Sequence, residues 1–155
     1  MTPAPLRSPV ALLALLCRLG FAALLLVAAI PKIIDPSSFS ISVANYRLLP
    51  AATSAFVGHT LPWLELVTAL GLLASRQWRA GAWLLATGLS LVFAGAVASA
   101  WWRGLDIECG CFGSGGSITA YSVLLRIGLF AIALASAIHS CLLPPAHPPS
   151  QRPAP

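Results

Sequence analysis

Asp106-Ile107-Glu108-Cys109-Gly110-Cys111-Phe112-Gly113 carries two thiols one residue apart, in a polar, glycine-lined turn between two apolar stretches. Cα atoms at i and i+2 lie about 5.5–7 Å apart, and a disulfide needs roughly 4.4–6.8 Å. Cys109 and Cys111 therefore bond only where the backbone between them folds tightly. Gly110 has no Cβ and permits that fold. The small ring so closed is strained, and strained disulfides exchange readily. A static staple across so short a loop adds little stability. These residues suit thiol–disulfide exchange, one cysteine attacking or accepting a disulfide and the other resolving it. Asp106 and Glu108 oppose thiolate formation there, and Arg103 favours it. The plainer alternative is a static bridge or two unrelated loop thiols.

Glu65 is the second residue with chemical potential, as the sole acid within a long apolar stretch. A charge at mid-bilayer costs about 2.5–3.5 kcal/mol or more, so it faces inward and finds a partner. Lys32 and Arg126 approach from the same end, and one of them is expected to pair with it. The pair is either structural or part of a site beneath the thiols, with Glu65 as a proton acceptor or quinone contact. His59 is a third candidate, joining Cys109 and Cys111 around a metal. Two thiolates fall short of the four ligands of structural zinc and suffice only for a soft ion such as Cu(I). The expectation is therefore no metal. Cys17 and Cys141 read as small apolar core residues, and His139 and His147 have no evident partner.

Positioning these groups falls to elements that live in lipid. The 155 residues are 58% hydrophobic and only 8% charged, with mean hydropathy +0.87. Soluble domains run near one quarter charged, so roughly a third of that figure cannot cover a water-facing surface. The net charge of +5 comes without basic runs interleaved with aromatics, which argues against nucleic-acid binding.

Four apolar stretches reach the ~20 residues a spanning helix needs. They cover 10–34, 51–74, 80–102 and 121–143. In lipid every backbone amide must be satisfied internally, so these are helices. The expected fold is an all-α integral membrane protein, an antiparallel four-transmembrane-helix bundle with a short interfacial helix. Residues 10–143 form the membrane domain, and 1–9 and 144–155 are Pro-rich tails read as disordered. The first stretch runs past the length of a signal-peptide core and is read as an uncleaved span.

Between the first two spans, Asp35 suits a helix N-cap and Pro36 a first helical position. They start an element over 37–49 with Phe39, Val43 and Tyr46 on one helical face. The alternation from Phe39 to Val43 suits a strand equally. Ser75 to Arg79 reads as a tight basic turn that makes its two flanking spans antiparallel neighbours. Gly81, Gly88 and Gly95 form a stripe fit for close helix packing, as does the pair Ala131 and Ala135. Basic residues set the orientation. Arg7, Arg18, Arg76, Arg79 and Arg152 fall on one side, against Lys32, Arg47, Arg103 and Arg126 with three acids on the other. Both termini are therefore placed in the cytoplasm, and the Cys-Gly-Cys turn faces the extracytoplasmic side of the inner membrane, where disulfides persist.

Four motifs occur in order: Lys32-Ile33-Ile34-Asp35-Pro36 with Phe39, Tyr46-Arg47-Leu48-Leu49-Pro50, Leu61-Pro62-Trp63-Leu64-Glu65, and Cys109-Gly110-Cys111-Phe112-Gly113. Together, over roughly residues 15–140, the chain resembles the MauE/DoxX-like family of small four-helix membrane proteins. Where the family has Arg-Asn in its fourth helix, this chain has Arg126-Ile127. The resemblance implies a redox-associated membrane protein that helps mature an extracytoplasmic enzyme, in the family the disulfide-dense small subunit of methylamine dehydrogenase. The residues themselves make Cys109 and Cys111 the reacting pair, with Gly110, Glu65, Arg126 and Lys32 in support. The implied partners are the lipid bilayer and an extracytoplasmic thiol or disulfide protein. DoxX-type relatives imply a membrane quinone as acceptor. Thiol–disulfide oxidoreductase activity is thus one expectation. The others are a non-enzymatic assembly factor, a soft-metal or sulfur carrier, and a quinone-linked oxidoreductase subunit.

Overall fold

The computed structural model describes residues 9–105 and 119–142, and its elements are five helices. The first, α1 (Pro9–Ile34), has 26 residues, about 39 Å at 1.5 Å per residue, enough to cross a ~30 Å hydrocarbon core with some tilt. Pro31 lies inside its last turn. Asp35 then restarts the chain as the N-cap of α2 (Pro36–Asn45), its Oδ1 accepting the Ser38 N–H at 3.0 Å. Removing such a cap costs about 1 kcal/mol, a factor of roughly five in local opening. Asp35→Ala is therefore expected to speed amide exchange at Ser38 about that much, and to leave the α1 amides unchanged.

The alternating run from Phe39 to Val43 is thus helical, since Asp35 and Pro36 set a helix start. α2 lies along the N-terminal half of α3 (Ala51–Leu73). Ser40 Oγ is 3.4 Å from Nδ1 of His59, and a Cβ built on Gly58 would fall 2.6 Å from Ser40 Cα. Only glycine lets the two backbones come this close. α2 ends at Asn45, short of the expected 49, because Arg47 adopts a left-handed conformation (φ 51). Few non-glycine residues do so, and none continues a right-handed helix there. Pro62 sits buried within α3 without ending it.

Ala74 and Ser75 alone separate α3 from α4 (Arg76–Trp102). The expected basic turn over 75–79 is mostly helix: Arg76 and Arg79 belong to the first turn of α4. Arginine is a good helix former, and its long stem lets the charge reach the bilayer edge from inside a helix. α5 (Ala120–Leu142) completes the set.

The core is small-residue packing around two rings. Phe21 and Trp83 stack with centroids 5.5 Å apart at 58°. Ala22, Leu25, Ala69, Leu72, Ala82, Ala86, Ala133 and Ala137 close around them. Alanines let helix axes approach where lipid gives no hydrophobic drive, only van der Waals contact. The stripe expected to do this lies elsewhere. A Cβ built on Gly81, Gly88 or Gly95 would meet nothing within 4 Å, and Ala131 and Ala135 are exposed too. α4 turns its Ala82–Trp83–Ala86 face inward instead, because Trp83 buries far more area than glycine offers.

Four of the helices are long and apolar enough to cross a membrane, and at most 33% of the apolar stretch of any of them is buried inside the chain. Leu13, Val27, Phe56, Leu84, Val92, Leu124 and Ile138 all point outward. A water-facing monomer does not carry so much contiguous apolar surface. Lipid covers it.

Candidate functional site

Cys109, Gly110 and Cys111, with Asp106 and Glu108, lie outside the described residues. α4 and α5 flank them. α4 stops in a Schellman arrangement: Gly104 takes φ 64, its N–H bonds the Trp101 carbonyl at 3.0 Å, and the Leu105 N–H bonds the Ala100 carbonyl at 3.0 Å. That pattern terminates a helix sharply at a left-handed glycine. Arg103, just before it, reaches across to the α2–α3 connection. Its guanidinium donates to the Tyr46 carbonyl and, at 3.4 Å, to the Arg47 carbonyl, while Nε donates to the Ser99 carbonyl at 3.2 Å. The side chain expected to bias the thiols thus binds three backbone oxygens.

At the far side, Thr119 caps α5. Its hydroxyl oxygen accepts the Ser122 N–H at 3.4 Å, and its own N–H donates to Ser122 Oγ at 3.5 Å. This is a reciprocal cap with serine in the place usually held by Glu or Gln. Leu105 and Thr119 therefore leave the two helices at the end of the bundle that also carries α2.

His59 is exposed on α3, its Nδ1 2.8 Å from the Ala55 carbonyl. Among the described residues no three His, Cys, Asp or Glu side chains gather closely enough to share a metal. Cys17 is half-buried and Cys141 exposed, both as free thiols.

Within the bundle the charged residues converge. Side chains on a helix lean toward its N-terminus. On α1, Lys32 therefore points back into the bilayer. On antiparallel α3, Glu65 points toward the same level. They meet at 2.6 Å, with 4% and 1% of the side chains exposed. Of the two partners open to Glu65, Lys32 is the one in direct contact, and Arg126 acts on the carboxylate at longer range.

Two aromatic faces complete the surroundings of the ammonium. It sits 4.6 Å from the Phe39 ring centroid and 5.1 Å from that of Phe93. The Arg126 guanidinium carbon is 6.0 Å from the same Phe93 ring. Desolvated cation–π contacts of this kind contribute about 2 kcal/mol or more each. Phe39 comes from α2, so all five helices supply the cluster. A cavity of about 30 Å³ borders it, with Lys32, Glu65, Ser90 and Arg126 on its polar side and Phe21 and Leu129 among its apolar walls. α1 packs on α3, α3 on α4 and α4 on α5, whereas α1 and α5 make no extended contact among the described residues. The cavity is walled by α1, α3, α4 and α5.

Phe93 and Ser90 carried no signal in the sequence, being ordinary members of an apolar span. Phe39 stands out in the sequence by sharing one helical face with Val43 and Tyr46 and by closing the motif that begins at Lys32.

These features define a class: a four-span helical membrane protein with a caged ion pair between its helices. Residues 10–139 match the family model for methylamine utilisation protein MauE. The methylamine utilization protein MauE of Methylophilus methylotrophus is 36% identical over 126 residues, 81% of this chain and 63% of that protein. The one from Paracoccus denitrificans is 37% identical over 123 residues, 77% of this chain and 66% of its own length. The chain belongs to the MauE family. It spans just under two thirds of the length of these curated relatives. No solved structure matches it.

Proposed function

We propose that this chain handles thiols and disulfides on the extracytoplasmic face of the inner membrane while a partner enzyme matures. One observation carries the reading: a Cys109-Gly110-Cys111 sequence between the last two spans of a MauE family member. Relatives named for methylamine utilisation make that pathway the first to test, with the disulfide-dense dehydrogenase subunit as client. Both termini face the cytoplasm in this reading.

The exchange balances without further reagents. A client thiolate attacks the Cys109–Cys111 disulfide, a mixed disulfide forms and one cysteine leaves as thiolate. A second client thiolate then displaces the other cysteine. The client ends as a disulfide, and Cys109 and Cys111 end as two thiols. Their reoxidation requires a two-electron acceptor, for which a membrane quinone is the proposed class. Gly110 lets the ring close, and Lys32, Glu65 and Arg126 act from beneath as positioning residues.

Replacing one cysteine at a time with serine tests this in membranes containing the client. The variant that keeps the attacked cysteine, oxidised with a small thiol, is expected to trap a mixed disulfide. The double variant traps none and stops maturation. Normal maturation with Cys109→Ser/Cys111→Ser would sink the proposal and leave a scaffold. Stoichiometric Cu(I) binding that the double variant loses, with no mixed disulfide in any variant, would assign a carrier instead. Alkylation from each side of the membrane checks the orientation.

A further inference from the structure

Glu65 gives Lys32 one carboxylate oxygen, Oε1. The other, Oε2, is buried and has no hydrogen-bond partner among the described residues. The whole residue is 1% exposed. Buried polar atoms are nearly always satisfied by protein or by ordered water, and an ionised acceptor left alone is strongly disfavoured. The cavity of about 30 Å³ is lined by this same residue. By the volume open to its centre, a water needs about 10–15 Å³ and two to four polar partners. There is room for about two. Ser90, Lys32 and Arg126 line the same space and supply the remaining polar groups.

We infer that this cavity is a water-binding site within the spans, in which water donates an O–H to Glu65 Oε2. The lone pairs of that water accept from Ser90 or from the cationic walls. A lipid chain could fill the volume, but it brings no donor. The volume is also too small for the ring of a membrane-dissolved phenol or quinol, which would have to push Phe93 or Leu129 aside. Hydration here does not depend on whether Cys109 and Cys111 react. Its consequence is that a carboxylate deep in hydrocarbon stays in contact with exchangeable protons.

The chain has two glutamates, Glu65 and Glu108, so labelling their carboxyl carbons with 13C is close to site-specific. The test uses the full chain in lipid nanodiscs, with Glu108→Gln to assign the signals. Magnetisation is transferred from water protons to the labelled carbons by solid-state NMR. The expected result is rapid transfer to the Glu65 carboxyl carbon in the wild type. Ala28→Leu, which fills the cavity from α1, should cut that transfer at least fivefold without moving the carboxylate shift that reports the Lys32 pair. Ser90→Val offers a second filler. Transfer from lipid protons alone, no transfer in the wild type, or full transfer in a folded filler variant would each overturn the inference. Absence of transfer in the wild type overturns the inference even if neither variant folds, and the filler variants separate transfer through cavity water from transfer through the Lys32 ammonium 2.6 Å from the carboxylate.

Discussion

Lys32→Ala is expected to destabilise the bundle by about 3–5 kcal/mol, because it strands Glu65 as an uncompensated charge in hydrocarbon. Both groups are already desolvated, their side chains 4% and 1% exposed. Truncating the lysine removes the contact at 2.6 Å and the cation over Phe39 and Phe93. Glu65→Ala should cost a similar amount, leaving Lys32 between two aromatic faces that attract it but cannot neutralise it. Glu65→Gln is expected to fall between, since its amide oxygen still accepts from the ammonium. The discriminating variant is Lys32→Met/Glu65→Leu. Buried ion pairs replaced by apolar residues of similar volume often lose nothing. The double variant should therefore recover most of the loss. Equilibrium unfolding in mixed micelles by SDS titration reads all four. A double variant as unstable as Lys32→Ala would mean that the pair is not what makes the single change costly.

The ion pair was legible in the sequence because a lone acid in an apolar span must find a cation, and only Lys32 and Arg126 were near the right level. Which of them touches it was not legible. That choice depends on side chains leaning toward the N-termini of antiparallel helices, and so on relative helix heights that no local pattern encodes. The number and order of spans were legible from apolar length alone. The start of α4 at Arg76 is not legible in the sequence, because a run with two arginines between apolar stretches looks like a basic turn. In a membrane helix, a long basic stem at the edge is compatible with helix.

The glycine stripe shows a different limit. Seven-residue spacing reveals that Gly81, Gly88 and Gly95 share a face, but not which face turns inward. The outcome was set by Trp83, through its contact with Phe21 on α1, a partner more than sixty residues away. The alanines that close the core were too common in this chain to stand out. The thiol turn was the most conspicuous chemical feature of the sequence, and what the structure adds there is its two anchors, Gly104 and Thr119.

Gly58 should tolerate no side chain. A Cβ at this position would stand 2.6 Å from Ser40 Cα and 2.8 Å from Ser40 Cβ, and the first of these is backbone that cannot rotate away. Gly58→Val is expected to push α2 off α3. Overpacking typically costs about 1–3 kcal/mol, and a backbone clash belongs at the upper end. Trimming Ser40 to alanine should not rescue the variant, since its Cα remains. The displacement would propagate both ways along α2. At its start it carries Phe39, which faces the Lys32 ammonium at 4.6 Å. At its end it carries the Tyr46 and Arg47 carbonyls that hold Arg103 at the foot of the α4–α5 interval. Gly58 thus connects the caged ion pair to the chain that leads toward Cys109 and Cys111. Spin labels on the exposed Ala44 and Ala55 should report a longer and broader distance in Gly58→Val. In the same variant, unfolding should come earlier, and alkylation of Cys109 and Cys111 should change rate. An unchanged distance with unchanged stability would show that α2 is not held by this crossing. The Lys32 cage would then have to stand on α1, α3 and α4 alone.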